Sequence, residues 1–352
     1  MEQKKALIAM SGGVDSSVAA YLAGQAGYAC VGATMRLYEN PNCLTNHVQD
    51  ARQVAQRLGI PFYLLDFQEE FRCRVMDAFV KDYENGLTPN PCVVCNRRLK
   101  FGSLLERALE MGCDYVVTGH YARILQNPEN GRWMLQKAVD ESKDQSYFLY
   151  GLTQEQLSHI LFPLGELTKA DAREIAETQG FLNAKKKDSQ DICFVPDGDY
   201  LAFMRNHTGK TYPAGDFLDQ TGKVVGKHRG AVGYTLGQRK GLGLAMGEPV
   251  YVCGKDMQNN TVTVGPNEAL MSCELRANDW FWQAIEEPKA PVRVMAKARS
   301  RMTEQPATLY PEENGFARVE FDQPQRAITP GQAVVLYDGD LVVGGGTITE
   351  AL

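Results

Sequence analysis

Two stretches of the chain combine residue types that do chemistry. The first is Ser11-Gly12-Gly13-Val14-Asp15-Ser16-Ser17. Adjacent glycines let a phosphate approach the backbone, the serines add hydroxyl donors, and Asp15 supplies a carboxylate suited to a magnesium ion carried by phosphates. The second is Cys92-Val93-Val94-Cys95, followed by Asn96-Arg97-Arg98-Leu99-Lys100. Thiols beside these cations and near a helix N-terminus are expected to ionise more readily than usual. Alone, the pair is ambiguous. Half of a zinc site would need a second pair that the sequence lacks, and Asn90-Pro91 and Asn96 do not suit a thioredoxin-like motif. Two structural cysteines in a loop remain a third reading. A further cysteine, Cys193, shifts the balance. It stands apart in the polar run Lys187-Asp188-Ser189-Gln190-Asp191-Ile192-Cys193-Phe194, just after Lys185-Lys186.

The first stretch follows the apolar run Ala6-Leu7-Ile8-Ala9-Met10, which reads as a buried strand, and precedes Val18-Ala19-Ala20-Tyr21-Leu22-Ala23, the first turns of a helix. A strand, a Gly-Gly turn and a helix N-terminus form an anion site, because free N–H groups and the positive end of the macrodipole face the ligand. No lysine follows the glycines, so the γ-phosphoryl chemistry of an ordinary P-loop is not expected. Further strands are expected at 29–35, 61–66 and 115–118, with helices at 47–58, 69–83 and 98–111 and a Pro-punctuated loop at 87–96. Such alternation predicts an α/β domain built on a doubly wound, mostly parallel sheet, with ligands at the carboxyl ends of its strands. A hairpin is expected around Asn130-Gly131, then two helical segments between 154 and 180, where the alternation of strands stops. Beyond about 208, glycines and short alternating runs dominate. The expected division is 1–207 for the catalytic domain, 208–271 for a small β-rich domain and 272–352 for a compact antiparallel β-barrel.

Net charge is −6, which speaks against indiscriminate nucleic-acid binding but leaves room for a local basic surface. Residues 289–301 hold five cations and no acid. On a strand, Arg293, Lys297, Arg299 and Arg301 share one face, and Val292, Val294, Ala296 and Ala298 share the other. That face suits phosphate contact, although a charged edge strand would look similar. Nine scattered cysteines argue against a disulfide scaffold. With no run of 18 apolar residues and no signal-peptide pattern, a cytoplasmic protein without membrane contact is expected.

The Ser-Gly-Gly-x-Asp-Ser pattern resembles the PP-loop of ATP pyrophosphatases, which cleave ATP between its α and β phosphates and adenylate a substrate oxygen. An activated oxygen, one thiol that brings sulfur and a second that breaks a persulfide S–S bond form a coherent set. The longer stretches 90–102, 118–123, 143–149, 188–194, 234–243 and 324–332 resemble tRNA-specific 2-thiouridylases. The likeness runs from residue 6 to about 348. It implies an adenine-nucleotide α-hydrolase-like first domain and ATP-dependent 2-thiolation of the tRNA wobble uridine, releasing AMP and pyrophosphate. It implies ATP held by Ile8, Ala9, Met10, Ser11, Gly12, Gly13, Val14, Asp15 and Ser16, with Met35 and Gly119. Cys193 is implied as persulfide carrier, and Cys95 as the partner thiol that forms a transient disulfide with it. Asn90, Pro91 and Cys92 are implied at the target base, and His120, Lys143, Asp144, Gln145, Arg299, Ser300 and Gln332 at tRNA. The sequence departs from the family pattern in Lys297-Ala298-Arg299-Ser300-Arg301, which lacks the aromatic often found after the arginine, at the contact implied for Arg299 and Ser300. The implied partners of a monomer are tRNA and a sulfur-relay persulfide donor protein, and the cofactors are ATP and magnesium. An iron–sulfur cluster on Cys92, Cys95 and Cys193 is the competing, less favoured reading.

Overall fold

The structure, a computed structural model, describes residues 3–38, 44–184, 186 and 192–352. Cys43, Asp188 and Asp191 lie outside the described residues. The chain opens with β1 (Lys5–Ala9), α1 (Val14–Gln25), β2 (Ala29–Arg36), α2 (Leu44–Leu58) and β3 (Phe62–Asp66). A helical run follows, α3 (Gln68–Phe71) and α4 (Asp77–Glu84), joined by a π-helical stretch, Arg72–Met76. A second run joins α5 (Pro91–Cys95) to α6 (Leu104–Glu110) through the π-helical stretch Asn96–Ser103. Then come β4 (Tyr115–Val117), β5 (Ala122–Gln126), β6 (Trp133–Lys137), α7 (Gln154–Ser158), β7 (Ile160–Leu161), α8 (Lys169–Thr178) and α9 (Tyr200–Thr208).

The first sheet is wholly parallel, in the order β3-β2-β1-β4-β7. Ala6, Leu7 and Ile8 of β1 have no exposed surface, as a strand covered on both faces requires. Strand order reverses between β1 and β4, which opens a crevice at their carboxyl ends. Two local expectations need correction. Strands do not stop after 154, because β7 adds a fifth parallel strand of two residues, too short to show any period. The helix expected from Arg98 begins at Pro91, at the first helical position, where a missing N–H costs nothing. Cys92 and Cys95 therefore sit in its opening turns and not in a loop before it.

The middle unit is a sheet of β8 (Gly215–Leu218), β9 (Val224–His228), β10 (Tyr251–Asp256) and β11 (Thr261–Gly265), ordered β10-β11-β8-β9. Phe217, Val252 and Val262 fill its core. The last unit comprises β12 (Met271–Trp282), β13 (Val292–Lys297), β14 (Gln305–Pro311), β15 (Ala317–Arg326), β16 (Ala333–Asp338) and β17 (Leu341–Ala351). Because β12 pairs with both β15 and β17, these six antiparallel strands close into a barrel and leave no free edge. The β5–β6 hairpin leans on it through Leu341 and Gln136.

The barrel packs directly on the α/β domain. Ala333, Val335, Tyr337 and Val342 share one core with Leu149, Leu152 and Phe101. Gln283 donates from Nε2 to the carbonyls of Tyr150 and Leu152, both at 2.6 Å. A side chain at Gly345 would meet the Tyr150 ring at 2.5 Å, so the glycine run of β17 is what admits that ring. No helix among the described residues is long and apolar enough to cross a membrane.

Candidate active site

β1 hands the chain to α1 through a turn braced by its own side chains. Gly12 has φ +73°, and a Cβ there would lie 2.3 Å from the His47 carbonyl oxygen. Gly13 caps α1 without any side-chain hydrogen bond, which leaves the first-turn N–H groups open to an anion. Ser16 and Ser17 are not spare hydroxyls: both donate from Oγ to the Gly13 carbonyl, at 3.1 and 2.9 Å. Ser16 Oγ also accepts from the Ser11 amide at 3.2 Å. Ser11 itself is exposed, whereas Ile8, Met10 and Val14 are buried beneath the loop. Met35 stands half-buried at the end of β2. Gly119 follows β4, and a Cβ on it would meet the Asp15 carbonyl carbon at 2.6 Å and the Ser16 amide nitrogen at 2.7 Å. Only glycine lets that strand end come so close.

Asp15 points into the crevice and is held from two sides. Lys169 donates from Nζ to both carboxylate oxygens, at 2.7 and 2.8 Å, and Tyr121 donates its hydroxyl at 2.9 Å. Lys169 opens α8 behind Thr168, whose side chain makes a reciprocal cap with Asp171. Asn183 donates to the Gly12 carbonyl and to Ser17 Oγ, and Lys186 bridges Gly12 and Asp50. Sequence reasoning missed Lys169, Tyr121 and Asn183, which lie more than 100 positions from the loop. One carboxylate beside an open helix N-terminus and two lysines fits a polyphosphate that brings its own magnesium, which uses few protein ligands.

The thiols gather at the same end of the sheet. Cys92 and Cys193 are exposed and Cys95 is half-buried. Phe194 fixes the Cys193 segment, its ring 5.6, 5.3 and 5.0 Å from those of Phe71, Phe79 and Phe203. The Cys193 carbonyl accepts from the Tyr38 hydroxyl at 2.5 Å, and a cleft of about 410 Å³ between Tyr38, Arg72, Phe194 and His207 opens beside it. Val94, Cys95 and Ile192 pack on the same aromatic cluster. The expectation of readily ionised thiols is overturned. Burial raises the pKa of Cys92 and Cys95, against the pull of Lys100. Cys193 is pushed up to about 12, first by burial and then by the like charge that Cys95 and Cys92 would carry. Cys92 and Cys193 do reach the surface, but the cleft walls strip water from their sulfurs, and this outweighs the nearby cation. Among the described residues, no three His, Cys, Asp or Glu side chains converge to hold a metal ion.

The residues expected at RNA fall into four groups. Asn90 precedes the exposed Cys92, with Pro91 buried between them. Their loop is tied to the barrel, because Gln332 donates to the Thr88 and Pro89 carbonyls at 2.8 and 3.3 Å, and the Thr88 amide donates to Pro330. Lys143, Asp144 and Gln145 form a turn that is fastened inward. Asp144 accepts from the Ala138 and Ser146 amides, and Gln145 exchanges bonds with the Tyr121 backbone. His120 is buried against Phe101 and Phe162 and bonds Thr118 at 2.7 Å, and burial holds its pKa well below the usual value. Arg299 and Ser300 are exposed just beyond β13. The expected four-cation face is reduced to two. Arg293 pairs with Asp322 at 2.7 Å and Lys297 with Glu304 at 3.3 Å, which leaves Arg299 and Arg301 exposed.

A parallel sheet with a phosphate-ready loop at its switch point, followed by two β units, defines an α/β protein of the PP-loop class. Family models agree over almost the whole chain: the tRNA methyl transferase HUP domain matches residues 4–197, the tRNA methyl transferase PRC-barrel domain 202–266 and the Aminomethyltransferase beta-barrel domain 272–348. Several relatives are named tRNA-specific 2-thiouridylase MnmA. That of Clostridioides difficile is 47% identical over 357 residues, covering 99% of both chains. That of Acetivibrio thermocellus is 49% identical, covering 99% of this chain and 100% of its own. That of Moorella thermoacetica is 50% identical, covering 97% and 98%. A solved 4-thiouridine synthetase–RNA complex with bound ATP is 16% identical and covers 58% of this chain and 50% of its own, with a TM-score of 0.35, too low to carry an argument. The chain belongs to the tRNA-specific 2-thiouridylase family.

Proposed function

We propose that this protein thiolates a uridine of tRNA at the 2-position, at the expense of ATP. The observation that carries the reading is the placement of Cys95 and Cys193 within electrostatic reach of each other, at the same sheet end as the Ser11–Asp15 loop. The loop residues 8–16, with Met35 and Gly119, hold ATP. The uridine 2-oxygen attacks the α-phosphorus, the bond to the bridging oxygen breaks, and pyrophosphate leaves with the electron pair. The terminal sulfur of a Cys193 persulfide then attacks C2, and AMP leaves with the former carbonyl oxygen. The Cys95 thiolate attacks the Cys193 sulfur, forms a Cys95–Cys193 disulfide and releases the thiolated base. An external thiol reductant must reopen that disulfide, and a persulfide donor protein must reload Cys193.

The wobble uridine is the proposed target, reached by Asn90, Pro91 and Cys92, with Lys143 to Gln145, His120, Arg299, Ser300 and Gln332 serving tRNA. Gln332 and the inward-fastened turn support that surface by holding its loops, and the exposed Arg299 by charge. The raised thiol pKa values describe a resting site in which attack waits for a charged or hydrated neighbour. The division at 207 and 271, a cytoplasmic setting and a monomer belong to the same proposal.

The test is product identity. Protein incubated with ATP, magnesium, a persulfide donor and unmodified tRNA should form AMP and pyrophosphate in equal amounts, dependent on tRNA. ADP and phosphate as products, or AMP formation indifferent to tRNA, would refute the reading.

A further inference from the structure

The loop lacks the lysine that a P-loop carries beside its glycines. The fold supplies one through space. Lys169, 154 positions away, places its ammonium 2.7 and 2.8 Å from the two oxygens of Asp15, in the first turn of α1. Its side chain is only 11% exposed, unusual for a lysine. Its backbone is pinned, because it opens a capped helix and its amide donates to Asp140 at 2.9 Å. The Tyr121 ring lies 5.8 Å from Nζ, and the Tyr121 hydroxyl bonds the same carboxylate. The other nearby cation, Lys186, bonds Asp50 at 2.9 Å and the Gly12 carbonyl at 3.4 Å, and makes no contact with Asp15 among the described residues.

We propose that Lys169 is the phosphate-contacting cation of this site, exchanging Asp15 for the β-phosphate when nucleotide binds. The inference rests on the assignment of the loop to ATP. With Asp15 turned to phosphate-borne magnesium, the Lys169 ammonium is released from that carboxylate a few ångströms from where the open helix N-terminus receives phosphate. A compact ammonium on a flexible stem can follow that short displacement. As the bond between the α-phosphorus and the bridging oxygen breaks, the leaving pyrophosphate gains charge. An ammonium placed there stabilises the transition state more than bound ATP. The Asp15–Lys169 pair is thus a resting state that keeps both groups neutralised until substrate arrives.

The experiment uses the full chain, with Lys169→Met and Lys169→Arg. Lys169→Met should lower kcat for tRNA-dependent AMP formation by about 100-fold, the scale for losing one oriented transition-state charge partner. The KM for ATP should move by less than about tenfold. Inhibition by added pyrophosphate should weaken about tenfold or more while inhibition by AMP stays unchanged, a split that a merely structural lysine would not produce. Lys169→Arg, which keeps the charge, should recover most of the pyrophosphate sensitivity. If Lys169→Met fails to fold, Lys169→Gln, which still reaches Asp15 as a neutral donor, should give the same split. Wild-type kcat and unchanged pyrophosphate inhibition in these neutral variants overturn this proposal alone. A wild-type protein that makes no AMP overturns the loop assignment and this inference with it.

Discussion

Phe194→Ala isolates what holds the sulfur-bearing cysteine in place. The ring is 8% exposed and meets Phe71, Phe79 and Phe203 at 5.0 to 5.6 Å between centroids. Removing a core phenylalanine costs about 3–5 kcal/mol, with edge-to-face contacts contributing about 0.5–1.5 kcal/mol each beyond burial. Phe194 borders the open cleft, so the lower end, about 3 kcal/mol, is the apt figure. Phe71 and Phe79 remain fully buried on α3 and α4, so the loss falls on the segment that carries Cys193. At about 1.4 kcal/mol per decade, the docking equilibrium constant falls about 100-fold. The assay is the equilibrium of the Cys95–Cys193 disulfide with a glutathione buffer, quenched by alkylation and read by mass. Phe194→Ala should shift that equilibrium about 100-fold toward the dithiol, and Phe194→Leu much less. If Phe194→Ala stays within about twofold of wild type while Cys95→Ser abolishes the species, the aromatic anchor does not position Cys193 and the reasoning fails.

Asp15→Asn keeps a hydrogen-bond acceptor for Lys169 and Tyr121 but removes the charge, so AMP formation should fall about 100-fold or more, with a lower melting temperature because the mostly buried Lys169 ammonium loses that carboxylate. Wild-type rates would show that the carboxylate is only a brace. Neutralising Arg299 and Arg301 should flatten the salt dependence of tRNA binding by about 0.7 to 0.9 in log–log slope per lost phosphate contact. Arg293→Gln, which removes a cation already paired with Asp322, should leave the slope unchanged, and an equal effect would show that this pair opens for RNA. Lys255 has a buried Nζ with no hydrogen-bond partner among the described residues, and burial pulls its pKa from 10.5 to about 8. Below pH 8 the native state holds a poorly solvated ammonium, a penalty of about 3 kcal/mol at 1.36 kcal/mol per unit. Between pH 8 and 10.5 the unfolded chain binds more protons than the native one, so wild-type stability rises with pH there. Urea unfolding should find Lys255→Met more stable at pH 7, with the gap closing by pH 10, and a less stable variant at pH 7 would contradict this.

The strand–turn–helix of the loop was legible because Ala6 to Met10 and Val18 to Ala23 bracket two glycines, a purely local signal. The antiparallel barrel was legible for a similar reason: Val294 and Ala296 alternate with exposed or paired cations along β13. What escaped was long-range. Nothing near Lys169 announces Asp15, and nothing near Gln332 announces the Thr88–Pro89 loop, since both contacts exist only once the domains pack. The helix start at Pro91 was read as loop, although proline is at home at a first helical position. The thiol ionisation was misjudged because cations are visible in sequence whereas desolvation is not. The basic face was overcounted because Asp322 and Glu304 reach it from other strands. The anchoring of the Cys193 segment also escaped. Residues 185 and 187–191 lie outside the described residues, but Phe194 and Val195 are buried anchors, and their apolar character in a polar run was the available clue.

The most direct test of the central claim is mass analysis of tRNA nucleosides after incubation with ATP, magnesium and a persulfide donor, using wild type and the three cysteine variants in parallel with AMP measurement. The account predicts 2-thiouridine from wild type and in good yield from Cys92→Ser. It predicts none from Cys95→Ser or Cys193→Ser: Cys193→Ser should release pyrophosphate while AMP stays on the uridine oxygen, and Cys95→Ser should release both once and remain joined to the base through Cys193. Equal loss in Cys92→Ser together with a requirement for added iron would contradict it, as would thiolation that survives without Cys193.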